Sequence, residues 1–199
     1  MKKIIAGILM LSCCAGCSFV KINKKAVEEY AALHEPAVEQ FSSIVCNVPA
    51  DLKIFQGEGD SYVSLKAPQR LLKKIEVICK DGVLTISSKE KNIRNWNDFE
   101  INVSTPDLES LEVNGVAEVD IFQFKTDSLS LVVNDVGEVA VKNIDCGNLT
   151  VQIKGVGEVE ISGRADRADL EISGVGEIDI EHFDCPSITR SINGVGAIR

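Results

Sequence analysis

Apolar and polar residues alternate along most of the chain after residue 41, in the short runs that form half-buried β-strands. In the C-terminal half these runs are joined by a motif that recurs at steps of 19 or 20 residues. A fixed period of this size is typical of stacked coils, none of which can bury its apolar residues alone. The five copies read Gly115-Val-Ala-Glu-Val119, Asp135-Val-Gly-Glu-Val139, Gly155-Val-Gly-Glu-Val159, Gly174-Val-Gly-Glu-Ile178 and Gly194-Val-Gly-Ala-Ile198.

Each repeat predicts one coil of a parallel β-helix. Leu131 and Val133 alternate with polar residues before one copy of the motif, and Val139 and Val141 do so after it. The residue between the two members of the second pair is predicted to point outward. In successive repeats this residue is Asp120, Ala140, Glu160 and Asp179. A meander or sandwich also has evenly spaced strands, but a constant register favours coils that stack like on like. The sequence therefore predicts an all-β fold with coils of about 20 residues.

The chain divides into four predicted segments: a signal peptide (1–16), a lipidated tether (17–40), an N-terminal β portion (41–104) and a repeat β-helix portion (105–199). Two lysines and a short apolar run precede Ala15-Gly16-Cys17, a pattern typical of a bacterial lipoprotein signal. Cys14 departs from it, because an aliphatic residue is usual there. We predict lipidation at Cys17, with simple secretion as the alternative, and a short helix over residues 26–33 of the tether.

The chain is acidic, with a formal net charge of −9 at pH 7. Removal of residues 1–16 takes away two lysines and no acid, so the remainder carries −11. A charge of this sign excludes nucleic acid and anionic lipid headgroups as electrostatic partners. Membrane contact is therefore predicted through acyl chains on Cys17. No acidic run follows Cys17, and this favours the periplasmic face of the outer membrane over the cell surface.

Four cysteines remain after the signal and the lipidation site: Cys46, Cys79, Cys146 and Cys185. Cys146 and Cys185 each lie nine residues before a copy of the motif, which places them in one column two coils apart. Two coil spacings amount to about 9–10 Å, and a disulfide needs Cα atoms closer than about 7 Å. We therefore predict that these thiols are buried and free. The sequence leaves open whether Cys46 and Cys79 pair.

The ordered series of motifs from residue 41 onward resembles the putative auto-transporter adhesin head GIN domain family. The resemblance covers roughly residues 38–199 and implies a right-handed β-helix in two stacked portions, exported by Bacteroidetes-like bacteria. It implies no catalytic or binding residue. The chain departs from the family in having Glu after the glycine corner and Val between its glycines. The motifs are Phe41-Ser-Ser-Ile44, Phe55-Gln-Gly57, Leu71-Leu-Lys-Lys-Ile-Glu-Val77, Asp81-Gly-Val-Leu-Thr-Ile86 and Leu108-Glu-Ser-Leu-Glu-Val-Asn-Gly115.

Two sets of side chains are candidates for binding. Trp96 and Phe99 lie in a long polar loop, where they form either a contact patch for a partner or part of the core or cap, and packing in the core or cap is favoured. The other set is an acidic column with one carboxylate per coil. Neighbouring carboxylates about 5 Å apart repel by about 1 kcal/mol in water, so the column binds a divalent cation or is simply solvated, and solvation is favoured. Its members are Glu118, Glu138, Glu158 and Glu177.

No residue pattern indicates catalysis or a cofactor. His34 and His182 have no partner at ligand or catalytic spacing. A β-helix glycosidase would use clustered acids such as Asp120 and Glu160, but no long loop builds a cleft there. The leading hypothesis is a non-catalytic, lipid-anchored envelope protein that binds an extracellular protein or glycan through its faces. The alternatives are an assembly protein that forms homo-oligomers through its coils and, less favoured, a polysaccharide-active enzyme.

Overall fold

The computed structural model describes residues 31–90, 93, 96 and 98–199. It is an all-β solenoid of about four turns with parallel stacked coils, which confirms the predicted fold class. One short helix, α1 (Gln69–Leu72), accompanies fifteen strands in these residues. The strands are β1 (Ala31–His34), β2 (Ser43–Cys46), β3 (Ala50–Gln56), β4 (Tyr62–Pro68), β5 (Ile75–Lys80), β6 (Val83–Ser88), β7 (Glu100–Thr105), β8 (Ser110–Val113), β9 (Val116–Phe122), β10 (Lys125–Val133), β11 (Val136–Ile153), β12 (Val156–Ile172), β13 (Val175–Asp184), β14 (Ile188–Ile192) and β15 (Val195–Ile198).

The solenoid has two long faces. The first face runs in the order β4, β7, β3, β9, β11, β12, β13 and β15, and the second in the order β5, β6, β2, β8, β10, β11, β12 and β14. Strands β11 and β12 are long enough to turn from the first face onto the second. Each motif pairs in register with the next, so that Val136 lies beside Val156 and Gly137 beside Gly157. The 20-residue period therefore places equivalent side chains in straight columns across the coils.

The N-terminal portion continues both faces, but not in sequence order. Strands β2 and β3 stack directly on β8 and β9, and β6 and β7 lie one coil further out. Strands β4 and β5 then pair antiparallel with β7 and β6, and β1 pairs antiparallel with β4. This end of the solenoid is thus closed by antiparallel strands. The short helix α1 lies between β4 and β5.

Of the predicted tether (17–40), the structure describes only residues 31–40. Residues 31–33, expected at the end of a short helix, belong to strand β1 instead, because the free edge of β4 supplies backbone partners from Leu65 to Pro68. Cys17, the signal peptide and residues 26–30 lie outside the described residues. None of the helices that the structure describes is long and apolar enough to cross a membrane.

The core is a set of aliphatic columns between the two faces. Full burial of each such side chain stabilises the fold by about 1.5–3 kcal/mol, and stacking gives every internal rung two apolar neighbours. One column crosses seven strands of the first face. Its fully buried members are Leu65, Ile101, Leu52, Val119, Val139, Val159 and Ile178.

Glycine is required in the motif by close approach of neighbouring coils. A Cβ atom on Gly174 would lie 2.0 Å from the carbonyl oxygen of Gly155, and one on Gly176 would lie 2.0 Å from that of Gly157. The amide of Val175 donates a hydrogen bond of 2.8 Å to the same Gly155 carbonyl. The motif therefore serves to bring one coil onto the next. Its first position is occupied by Asp135 in the second repeat.

The cysteines follow the predicted column. Thr126 pairs with Cys146 and Cys146 with Ala165 on successive coils. Cys46, Cys79, Cys146 and Cys185 are all free. Burial, followed by the nearby charge of Asp145, raises the pKa of the Cys146 thiol to about 11, and burial also raises the pKa of Cys46. Free thiols are confirmed, although Cys79 and Cys185 are only partly buried.

The glycine argument predicts a contrast within one column. Gly176→Ala is expected to lower the free energy of unfolding by about 3 kcal/mol, because the new methyl group meets backbone that cannot move aside. Gly137→Ala is the milder comparison, since its Cβ would lie 3.1 Å from the Cγ1 atom of the Val133 side chain and 3.5 Å from the carbonyl oxygen of Ala117, and the side chain can shift where backbone cannot. Denaturant unfolding of both variants measures the difference. Equal losses would contradict the role of coil contact.

The thiol environments predict an order of chemical reactivity. In the native protein at pH 7, Cys46 and Cys146 are expected to resist iodoacetamide because they are buried and protonated. Cys185, in the same column as Cys146 but partly exposed, is expected to react first. Mass spectrometry of timed reactions gives the order. A peptide pair linked through Cys146 and Cys185 would contradict the coil spacing.

Candidate binding surfaces

Two columns of exposed side chains run along the first face and enclose a shallow groove of about 740 Å³. We call it the valine–glutamate groove. One wall is a row of valines, 48–68% exposed, and the other is the predicted acidic column. Between them the floor has only alanine or glycine, so the backbone lies open to the groove. The valines are Val116, Val136, Val156, Val175 and Val195, and the floor residues are Ala117, Gly137, Gly157, Gly176 and Gly196.

The acidic column is longer than the repeats predict. In the register of the N-terminal strands, Glu118 lies beside Asp51 and Asp51 beside Glu100. The carboxylates at both ends of the column have a basic partner. The Nζ atom of Lys66 lies 2.9 Å from the Oε1 atom of Glu100, and the guanidinium of Arg199 forms an ion pair with Glu177. The Glu177 carboxylate, followed by the charges of Asp179 and Glu158, raises the pKa of the Arg199 guanidinium. The column therefore already binds a basic side chain of the protein at each end.

The central carboxylates of the column are different. Glu118, Glu138 and Glu158 have no basic side chain within 4 Å among the described residues. They are evenly spaced along three successive strands, at about 4.8 Å per rung. In the same part of the chain no three acidic, histidine or cysteine side chains converge as metal ligands do. The column thus presents a row of single charges rather than a chelating cluster.

A second concavity lies on the other side of the valine row, and we call it the Trp96 cleft. It has a volume of about 720 Å³, and Trp96 and Ser87 are among its lining residues. The same cleft is lined by a ladder of side-chain amides, in which Asn134 donates to Asn114 at 2.6 Å and Asn114 donates to Asn47 at 2.9 Å. An aromatic face beside fixed amides is a polar site with one apolar platform.

The two aromatic candidates have different positions. Trp96 is partly buried and lines the cleft. Phe99 is only 3% exposed and belongs to the core. The two rings lie 6.0 Å apart at an interplanar angle of 30°. Phe99 therefore packs in the core beside Trp96, and of the two candidates only Trp96 lines a surface cleft.

Of the two acids considered for catalysis, Asp120 is engaged in a surface ion pair, and a second surface ion pair lies nearby. Asp120 accepts from the ammonium of Lys142 on the next coil. Arg164 does not pair with its sequence neighbour Asp166; its guanidinium donates two hydrogen bonds, of 3.1 and 2.8 Å, to Asp145 on the adjacent coil. This pairing lowers the pKa of Asp145. Asp120, Ala140, Glu160 and Asp179 form a straight outward column, as the period predicts.

The amide ladder and the exposed valines are not anticipated from the sequence. Asn114 and Asn134 precede successive copies of the motif, which is a usable signal for part of the ladder. Asn47 lies outside the repeats and joins the ladder only because β2 stacks on β8.

Solved structures share this architecture. A putative adhesin from Bacteroides fragilis superposes with a TM-score of 0.71 at 23% identity, covering 85% of this chain and 96% of that chain. A putative lipid binding protein from Parabacteroides distasonis superposes with a TM-score of 0.54 at 17% identity, covering 85% and 96%. At these identities the likeness establishes the fold.

The sequence itself carries the family relationship. No curated protein matches it. The model of the family described as "Putative auto-transporter adhesin, head GIN domain" matches residues 40–199, four-fifths of the chain and all of the coils. The chain therefore belongs to the auto-transporter adhesin head GIN domain family.

Proposed function

We propose that this protein is a non-catalytic, lipid-anchored envelope protein that binds an extended polysaccharide at the Trp96 cleft. Membership of an adhesin-type family supports an exported protein of the cell envelope. The observation that carries the choice of ligand is that Trp96 lines the same cleft as the hydrogen-bonded ladder of Asn47, Asn114 and Asn134. Sugar rings present apolar C–H faces and polar hydroxyl edges, so they match an aromatic platform beside fixed amides.

The shape of the cleft supports an extended ligand. It crosses the coils from Ser87 past Asn114 to Gly155, and it is open along its length. Parallel coils repeat the same backbone at every rung, so a chain of similar units meets similar groups as it passes each coil. The groups named are donors and acceptors, and they suit a neutral glycan better than an acidic one because Asp135 and Glu90 also line the cleft.

The anchor part of the proposal rests on the sequence before residue 18. Ala15-Gly16-Cys17 follows a basic and apolar leader, and two or more acyl chains hold a protein stably at a membrane. Attachment on the periplasmic face of the outer membrane is favoured by the absence of acids directly after Cys17.

Lipidation is tested by changing one residue. Cys17→Ser is expected to abolish incorporation of labelled palmitate and to move the protein from the membrane fraction to the soluble fraction, since the net negative charge of the chain opposes electrostatic attachment to anionic lipid. Cys13→Ser, a change of the same kind outside the Cys14–Cys17 pattern, is the matched control and should leave both unchanged. A protein that stays in the membrane fraction without label after Cys17→Ser would contradict anchoring by lipid.

Glycan binding is tested on an array of neutral and acidic polysaccharides followed by calorimetry with the best binder. Trp96→Ala is expected to weaken binding about tenfold through loss of the stacking surface. Phe55→Ala removes an exposed aromatic ring from the first face and should leave affinity unchanged. Binding that is insensitive to Trp96→Ala would contradict the assignment of the cleft.

The role of the amide ladder is tested by a matched pair of asparagine substitutions. Asn134→Asp introduces a charge in the cleft and removes the amide group that donates to Asn114 and Glu112, so it should weaken binding of a neutral glycan by about two- to tenfold. Asn193→Asp makes the same change at the equivalent position directly after β14, three coils away, and should have no effect. Equal effects of the two changes would indicate a general response to charge.

A further inference from the structure

We propose that the valine–glutamate groove binds linear polyamines, that is, flexible chains in which ammonium groups are separated by short methylene spacers. The proposal concerns the opposite side of the valine row from the Trp96 cleft and does not depend on glycan binding. The feature to be explained is a row of five exposed valines that nothing in the described structure covers. Contiguous apolar surface of this kind on a soluble domain marks a binding site.

Charge selects the occupant of the groove. Its second wall presents Glu118, Glu138 and Glu158, which lack basic partners among the described residues. A second copy of this face would bring a second acidic wall into the same groove, and the chain as a whole carries −9, so self-association here is opposed by repulsion. An anionic lipid is excluded for the same reason. A cation with apolar segments complements both walls.

The chain itself shows how such a cation is held. The guanidinium of Arg199 pairs with Glu177 at the end of the acidic wall, and the charges of Asp179 and Glu158 also contribute to its raised pKa. The three carboxylates beyond Glu177 repeat the same arrangement without the cation. They are therefore equivalent places for further positive groups along the same line.

Spacing distinguishes a polyamine from a basic peptide. Successive rungs of the groove are about 4.8 Å apart along the solenoid axis. Two nitrogens joined by three methylene groups span about 5 Å when extended, from ordinary C–C and C–N bond lengths. Side chains on one side of an extended peptide recur at about 6.6–6.8 Å, out of step with the rungs. A triamine with three-carbon spacers can therefore place one ammonium group on each of Glu118, Glu138 and Glu158.

The valine wall receives the methylene spacers. Val136 and Val156 are about half exposed and lie two residues before Glu138 and Glu158 on the same strands, so they face the same side of the sheet. Burial of methylene groups against them adds a favourable contribution that a hydrated metal ion would not gain. The glycine floor leaves room for the chain between the walls.

The test is calorimetric titration of the full chain, purified in neutral detergent at low ionic strength, with norspermidine, 1,3-diaminopropane and propylamine. Affinity is expected to rise about two- to fivefold with each ammonium group added, the contribution of one exposed ion pair. Binding should weaken as salt is added. Absence of measurable binding of norspermidine up to about 10 mM, a weak affinity by any standard, would overturn the proposal.

Matched variants locate the site. Glu138→Gln combined with Glu158→Gln is expected to weaken norspermidine binding about tenfold, whereas Glu160→Gln, on the same strand but one outward position further along, should change it less than twofold. Val136→Thr with Val156→Thr keeps the shape and should weaken binding about twofold. Circular dichroism and thermal unfolding confirm that each variant is folded. An equal effect of Glu160→Gln, or no effect of the valine changes, would overturn the assignment to the groove.

Discussion

The structure depends on the backbone ladder between parallel coils, which sets the rise of one coil on the next at about 4.8 Å. Everything that stands between two coils must fit within that distance. At the motif the carbonyl of one coil approaches the Cα of the next so closely that Gly174 and Gly176 have no room for a methyl group. In the interior of the solenoid, aliphatic side chains fit the same spacing and stack in continuous buried columns. The glycines of the motif are thus a consequence of coil stacking, and the motif recurs with each coil that stacks on another.

The same ladder determines what the surface can present. Because equivalent residues meet on adjacent strands, any outward position becomes a row of like side chains, whether valines, carboxylates or amides. Amides satisfy each other in such a row, as Asn47, Asn114 and Asn134 do. Carboxylates repel, and the ends of their row are neutralised by Lys66 and Arg199 while its centre is not. The two candidate binding surfaces arise from these two outcomes and share the valine row as a boundary.

The repeats predict most of the fold, because the same short sequence pattern recurs at a constant period and so specifies which residues pair on neighbouring coils. They correctly place Cys146 two coils from Cys185 and the outward column that begins with Asp120. The N-terminal portion carries no such period, so the stacking of β2 on β8, which brings Asn47 to Asn114 across 67 residues, depends on pairings that no local pattern records. Strand β1 arises in the same way, since the edge of β4 overrides local helix propensity. The burial of Phe99 beneath Trp96 likewise reflects tertiary packing of the loop rather than its polar sequence.

The central claim is that equivalent residues of successive repeats lie side by side, and paired cysteines test it most directly. Neighbouring coils place Cα atoms about 4.8 Å apart, within the range that a disulfide spans, and alternate coils do not. Under mild oxidation, the double variant Val136→Cys with Val156→Cys should form a disulfide that peptide mapping identifies, whereas Val136→Cys with Val175→Cys should remain reduced. A disulfide in the second variant and none in the first would contradict the stacking on which both surfaces depend.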